Sequence, residues 1–315
     1  MRGDRGERLT ILSEAEKTAL YGIPNFDDFQ RLEYFAMTDS ERSLALGRKS
    51  FLAQIYCLLQ IGYFKAKQAF FQFSLDDVSQ EDINFLLQRY FPGQTLTNAS
   101  LHTSEYYVQR NKIADIFGYR MCSDDDLPIF REKAKLLART DVTPTVLLAE
   151  LMVFLISQRI VRPGYSTLQT IIRDSLTAER DRLEQLVDSA LIKEKRNALT
   201  QLLVSEKTLS DLAALKQDAK NFRHKQMALE RQKHRTLAPL YSIANNLLPS
   251  LGISQLNIAY YASLANYYTI YDLRRLKPGQ TNLYLLCYAW QRYRQITDNP
   301  ASHTTSGRVA FAIRG

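Results

Sequence analysis

The residues best suited to chemistry in this 315-residue chain are cations gathered late in the sequence. Lys216, Lys220, Arg223, His224, Lys225, Arg231, Lys233, His234 and Arg235 are opposed in their own stretch only by Asp218 and Glu230. On a helix, Lys216, Lys220, Arg223 or His224, Arg231 and Arg235 fall on neighbouring turns and make a cationic stripe. Such a stripe can carry a phosphate backbone, or it can be a solvated face. Aromatic residues interleave with bases at Tyr271, Arg274, Arg275 and Lys277, and again at Trp290, Arg292, Tyr293 and Arg294. There the rings and cations can hold nucleic acid together, or the rings are core and the bases reach out at its edge. Arg48-Lys49 and Lys65-Ala66-Lys67 bracket an apolar helix and carry the same two meanings.

Enzymatic signatures are absent from the sequence. There is no GxxxxGK[ST] loop, no GxSxG elbow and no HExxH helix, so the marks of P-loop, α/β-hydrolase and zincin chemistry are missing. His102, His224, His234 and His303 sit in a linker, the basic stretch and a tail, without the spacing of paired ligands on one helix face. Cys57, Cys122 and Cys287 lie far apart in or near apolar runs, which suits small buried hydrophobes in a reducing cytoplasm. The expectation is a chain with no catalytic residue, no metal and no cofactor of its own.

The net charge is +8, and nearly all the excess falls after residue 180, so a polyanion is the partner to consider. No basic-then-apolar leader opens the chain, and no apolar run is long enough to cross a bilayer. These features point to a cytoplasmic protein.

Stepping from these residues to the elements that carry them, the composition favours helices, with glycine and proline sparse at 12 and 9. The fold class expected is all-α, a multi-module helical bundle with helix-turn-helix-like units and one long basic helix. Ser13 with Glu16, Thr38 with Glu41, and Ser79 ahead of Glu81 and Asp82 read as helix starts. Leu44, Phe51, Leu52, Ile55, Leu58 and Leu59 keep a helical period, and Phe91-Pro92-Gly93 is a stop. Residues 1–98 are expected to form an N-terminal helical DNA-binding module and 99–190 a second helical module, helix-turn-helix-like. Residues 191–298 hold a long basic helix and a tyrosine-rich module, and 299–315 an unstructured tail. From Leu199 to Leu237 neither proline nor glycine occurs, which permits one long helix or two abutting ones, with Leu215, Phe222 and Leu229 as a narrow seam. After Pro239 the chain passes into tyrosine-rich helices. The seam offers a second function, a helical interaction scaffold pairing with a partner helix or with itself.

Within the second module, Ala114 lies four positions before Gly118, with bulky apolar residues around both. A helix-turn-helix uses a small residue for close packing and a glycine for the left-handed turn, whereas a simple C-cap between bundle helices needs only the glycine. Both remain open on this spacing. The acids Asp124 to Asp126 weigh against the next helix entering a groove by its N-terminus.

Several blocks in order resemble the N-terminal region of the Tn-three family of bacterial replicative transposases, over roughly residues 9 to 298. Leu12-Ser13 with Glu16, Tyr34-Phe35 to Thr38-Asp39 and Arg48-Lys49 are similar to its opening block. Phe51 to Gly62 is similar to its apolar helix, with Gln60 where a basic residue is usual. Tyr106 to Arg120 closes in Phe117-Gly118-Tyr119-Arg120 like the family's LGFR-type turn. Arg159 to Gly164 followed by Ser166-Thr167-Leu168 resembles its RxxxPGxSTL block, the most specific match. Leu273-Arg274-Arg275-Leu276 with Pro278 and Tyr284-Leu285-Leu286 is similar to LRRLxPxRRYALL, with Gln280-Thr281-Asn282 in place of the arginine pair.

The resemblance implies recognition of transposon terminal inverted repeats in double-stranded DNA by helical modules. Strand cleavage and joining would belong to a later RNase H-like domain, which this sequence is expected to lack. After Asp298 the likeness stops. On these grounds the DNA-contacting residues expected are Arg48, Lys49, Lys65, Lys67, Arg110, Lys112, Arg120, Arg162, Lys216, Lys220, Arg223, Arg231, Arg235, Arg274, Arg275 and Lys277. The protein partners expected are a second copy of the chain or the catalytic part of the transposase, and no membrane.

Overall fold

The computed structural model describes residues 9–96, 101–204, 211–219 and 223–298. Among them lie fifteen α-helices, three short 3-10 turns and no β-strand, as the all-α expectation requires; one isolated parallel bridge joins Arg120 to Ile160. The chain divides into two compact units. Unit 1 takes the described residues of Met1–Ala134 and Pro144–Arg173, and unit 2 those of Lys135–Thr143 and Asp174–Gly315.

Unit 1 contains α1 (Glu14–Tyr21), α2 (Asp28–Tyr34), α3 (Asp39–Leu46), α4 (Phe51–Lys67), α5 (Gln80–Tyr90) and α6 (Thr103–Ile116). It also holds the first part of α7 (Leu127–Thr140), α8 (Pro144–Ser157) and the first part of α9 (Tyr165–Ala190). Ser13 and Thr38 close capping boxes with Glu16 and Glu41, as their spacing predicts. Every residue of α4 from Ile55 to Phe64 is buried, because α2, α3, α5 and α6 all pack on it. The Phe35 ring lies so close to Gly62 that a β-carbon there would overlap it. Gln60 is fully buried on the Phe71 backbone and makes no outward contact.

Gly118 adopts φ +67 and ends α6. Tyr119 N donates to Ala114 O at 2.8 Å and Gly118 N to Asp115 O at 3.0 Å, a Schellman-type closure. Residues 117–126 then intervene before α7. That connection is longer than the three-to-four-residue turn of a helix-turn-helix. The spacing of Ala114 and Gly118 therefore serves a C-cap.

Unit 2 contains the rest of α7 and α9, then α10 (Lys193–Gln201), α11 (Asp211–Lys216), α12 (His224–Leu247), α13 (Gln255–Tyr267), α14 (Ile270–Arg275) and α15 (Pro278–Asp298). Its core is α15, buried at Gly279 and from Thr281 to Ala289, with α12 and α13 packed on it. The Asn257 amide ties unit 2 internally, accepting from Val142 N and donating to Ala138 O and Arg139 O.

The stretch from Leu199 to Leu237 is not one helix. α10 ends at Gln201, α11 is short, and the long basic helix begins only at His224. The reason is the spread of its apolar residues: Leu199, Leu202, Leu203, Leu212 and Leu215 are all buried, and no single seam can hide them. Leu215 lies on α11 and Leu229, 42% exposed, on α12, so the two do not share one continuous helix; Phe222 lies outside the described residues. Pro239 does not interrupt the long helix. It sits inside α12, which buries Leu237, Leu240 and Ala244 in the unit 2 core on either side of it. Burial outweighs the one backbone bond that proline forfeits.

Candidate nucleic-acid interface

Helix ends explain where six of the sixteen expected DNA-contacting cations go. A protein of many short helices leaves orphan carbonyls at every C-terminus, and a nearby ammonium or guanidinium can satisfy them. In unit 1, Lys65 Nζ donates to Ala36 O just past α2 at 2.6 Å and pairs with Glu41 at 2.7 Å. Lys67 Nζ donates to Gly22 O at the end of α1 at 2.6 Å, and burial lowers its pKa. Arg48 donates to Leu44 O in α3 at 3.2 Å, and its guanidinium lies 3.7 Å from Glu105. Arg162 spans two helix ends, donating to Leu20 O at 2.9 Å and Lys67 O at 2.7 Å.

The remaining unit 1 candidates face outward or into a cleft. Arg120 is held bidentately by Asp126 at 2.5 and 2.7 Å, which drives the Asp126 carboxyl well below the usual range. Arg110 lies over the Tyr107 ring at 4.8 Å. Lys49 and Lys112 are exposed. Arg159, named in the RxxxPGxSTL block but not among the expected contacts, is exposed at φ +53 with its guanidinium 5.4 Å from the centre of the Tyr119 ring. That block is itself a fastener: Tyr165 Oη accepts from Ile11 N and Leu12 N, and Gln169 donates to Leu9 O.

Unit 2 divides its cations in the same way. Lys216 is half-buried and donates to Tyr268 O, after α13, at 2.7 Å; burial lowers its pKa. Arg274 donates to Leu203 O, just past α10. Arg292 grips the end of α11 through Leu215 O and Gln217 O and pairs with Asp218 at 2.8 Å. Lys233 donates to Gln217 O and pairs with buried Glu230 at 2.6 Å. His234 stacks on Tyr293 at 4.3 Å. Arg275 lies over Tyr271 at 5.4 Å, Lys277 is exposed, and Lys220 lies outside the described residues.

What stays outward on α12 is a narrower set. At about 100° per residue, His224, Arg231 and Arg235 share one stripe with Lys225 at its edge, roughly opposite Leu237, Leu240 and Ala244. Lys225 and Arg235 are exposed and Arg231 is half-buried, and none has a carboxylate partner among the described residues. Glu230 is the only acid in α12, and it is buried. Arg223 is exposed at the helix N-cap. Lys225 was not among the expected contacts, and helical phase sets it about 80° from Arg235 and about 120° from Arg231.

Residues 11–174 match the family described as a domain of unknown function, DUF4158. The chain belongs to this family. The DUF4158 match ends at residue 174, at the limit of unit 1, and so contains α1 to α8 and the start of α9. The basic α12 lies beyond it. No curated protein matches the chain. Among the described residues, no helix is long and apolar enough to cross a membrane, and no group of three or more His, Cys, Asp or Glu is placed to hold a metal ion. Burial pushes the Cys57 thiol up to about 12 and raises Cys287 further, so neither is poised as a thiolate.

Proposed function

We propose that this chain binds double-stranded DNA as the end-recognising, non-catalytic part of a bacterial Tn-three-type transposase, acting on terminal inverted repeats at the nucleoid. The observation that carries the proposal is the outer face of α12, where Lys225, Arg231 and Arg235 stand without an exposed acid on the same helix. A face of one sign, on a rigid helix, is suited to a phosphate backbone. The ordered sequence blocks, from Leu12-Ser13 to Leu273-Arg274-Arg275, support the choice of transposon ends over other polyanions. In this reading strand cleavage and joining are supplied by an RNase H-like domain, and the protein partner is that catalytic part or a second copy.

A mobility-shift titration over a range of salt tests it, using duplexes with the terminal repeat and with the same bases scrambled. The repeat duplex should bind more tightly at every salt. The slope of log K against log salt should flatten by about 0.9 for each phosphate contact removed by Lys225→Gln, Arg231→Gln and Arg235→Gln. Equal affinity for both duplexes, or an unchanged slope in the triple variant, would defeat the proposal.

A further inference from the structure

A cleft in unit 1 of about 360 Å³ lies between α6, the 120–126 loop and the start of α9, lined by Tyr106, Arg110, Ser123, Arg162 and Thr167 among others. Two arginines are among its lining residues, and little in the lining balances their charge. Arg162 has both terminal nitrogens on carbonyls and its face over Tyr21 at 5.5 Å, and no carboxylate reaches it among the described residues. Burial lowers its pKa, and its positive charge in turn depresses that of Lys67. Arg110 is likewise without a carboxylate; its Nε is buried and has no hydrogen-bond partner. The loop's buried acid, Asp126, is already spent on Arg120 and Ser123, which leaves only exposed Asp124 at the rim.

Two partly desolvated cations without a counter-charge are costly in an empty cleft and favourable around an anion. The guanidinium fork matches the geometry of phosphate oxygens, and Thr167, in the first turn of the long α9, adds a hydroxyl at the positive end of a helix dipole. We propose that this cleft is a binding site for a phosphate group, with Arg162 as the fixed charge and Arg110 as the donor that closes on the anion through Nε. Resting on the DNA-binding reading, the occupant is a backbone phosphodiester, which would give the family-matched unit a phosphate anchor separate from α12.

The test uses the full chain and two probes. Inorganic phosphate is exchanged for chloride at constant ionic strength while the arginine Nε–H resonances are followed by NMR, and the repeat duplex is titrated against salt. The expected result is a phosphate-dependent shift of the Arg110 and Arg162 resonances. Arg110→Gln, its fold checked in the same spectra, should abolish the Arg162 response and flatten the duplex salt slope by about one. Unmoved arginine resonances overturn the site whatever the duplex does. Shifts in a chain that binds no duplex keep the site and sink the DNA reading; shifts with an unchanged duplex slope in Arg110→Gln assign it to free phosphate.

Discussion

Removing the carboxylate of Asp82 should change how the stability of unit 1 depends on pH. Asp82 is fully buried, 3.7 Å from Arg31 and 3.5 Å from the Tyr63 hydroxyl, and its Oδ1 has no hydrogen bond. Burial pushes its pKa up to about 6 and prevails over the attraction of Arg31, which lowers it. The folded state thus holds the proton more tightly than the unfolded chain, whose value is near 3.8. The resulting stabilisation is full below about pH 4 and is lost as pH rises through about 6. A difference of about two, at about 1.4 kcal/mol per unit, amounts to roughly 3 kcal/mol. Hydrogen exchange of α4 and α5 amides, corrected for intrinsic rates, reads this locally in the wild type and in Asp82→Asn. Fluorescence of Trp290, the one tryptophan, serves as a control in unit 2. From about pH 4 to about pH 7 the wild type should lose roughly 3 kcal/mol relative to the variant, whatever Asn costs in absolute terms. Parallel profiles would refute the assignment of a raised pKa to this buried acid.

Three further substitutions probe the packing and capping. Gly62→Ala drives a methyl into the Phe35 ring and should destabilise unit 1 by about 1–3 kcal/mol, read from α4 exchange; a neutral result would mean the helix yields at no cost. Asn257→Leu strands Val142 N and the carbonyls of Ala138 and Arg139, at about 1–3 kcal/mol for each group left unsatisfied, and Trp290 fluorescence in urea should report it. Arg120→Gln should cost around 1 kcal/mol at neutral pH, because the guanidinium is half-exposed. That difference should begin to shrink in thermal melts as pH falls below about 4, the unfolded value, and disappear only as pH passes through the strongly depressed folded value, where the Asp126 carboxylate takes up its proton.

Helix starts and the unit 1 core were legible because they are local. Ser13, Thr38 and the 51–64 apolar run state their structure within a few residues. Breaks were harder to see. Nothing local between Leu199 and Leu237 forbids a continuous helix; the chain bends there to bury Leu203 and Leu212, a demand set by tertiary packing. Gly118 illustrates a true signal with two meanings, since a left-handed glycine after a small residue suits a C-cap and a recognition motif equally, and only the length of 117–126 separates them. Asp82 was read as part of a helix start, yet it stands four residues before Leu86 on the inward face, and that spacing was the available clue to a buried acid.

Where the cations lie was legible in the sequence, and which of them the fold itself occupies was not, for one physical reason. Sequence shows where cations are but not where helices end, and each helix end in three dimensions attracts the nearest base. Lys65, Lys67, Arg162, Lys216, Arg274 and Arg292 all spend their hydrogen bonds on terminal carbonyls. Part of the positive charge is therefore a structural requirement of a fold built from many short helices, and it would be present whether or not DNA were bound. The cations that such capping does not consume are the informative ones. Lys225, Arg231 and Arg235 meet no carboxylate among the described residues, and Arg110 keeps a buried donor unused, so these side chains are the first to test for contact with a duplex. Neutralising the capping lysines should then lower stability with little effect on the salt slope, whereas neutralising the outward set should do the reverse. A salt slope that responded equally to Lys65→Gln and Arg235→Gln would show that the division between capping and binding cations is not the one drawn from the structure.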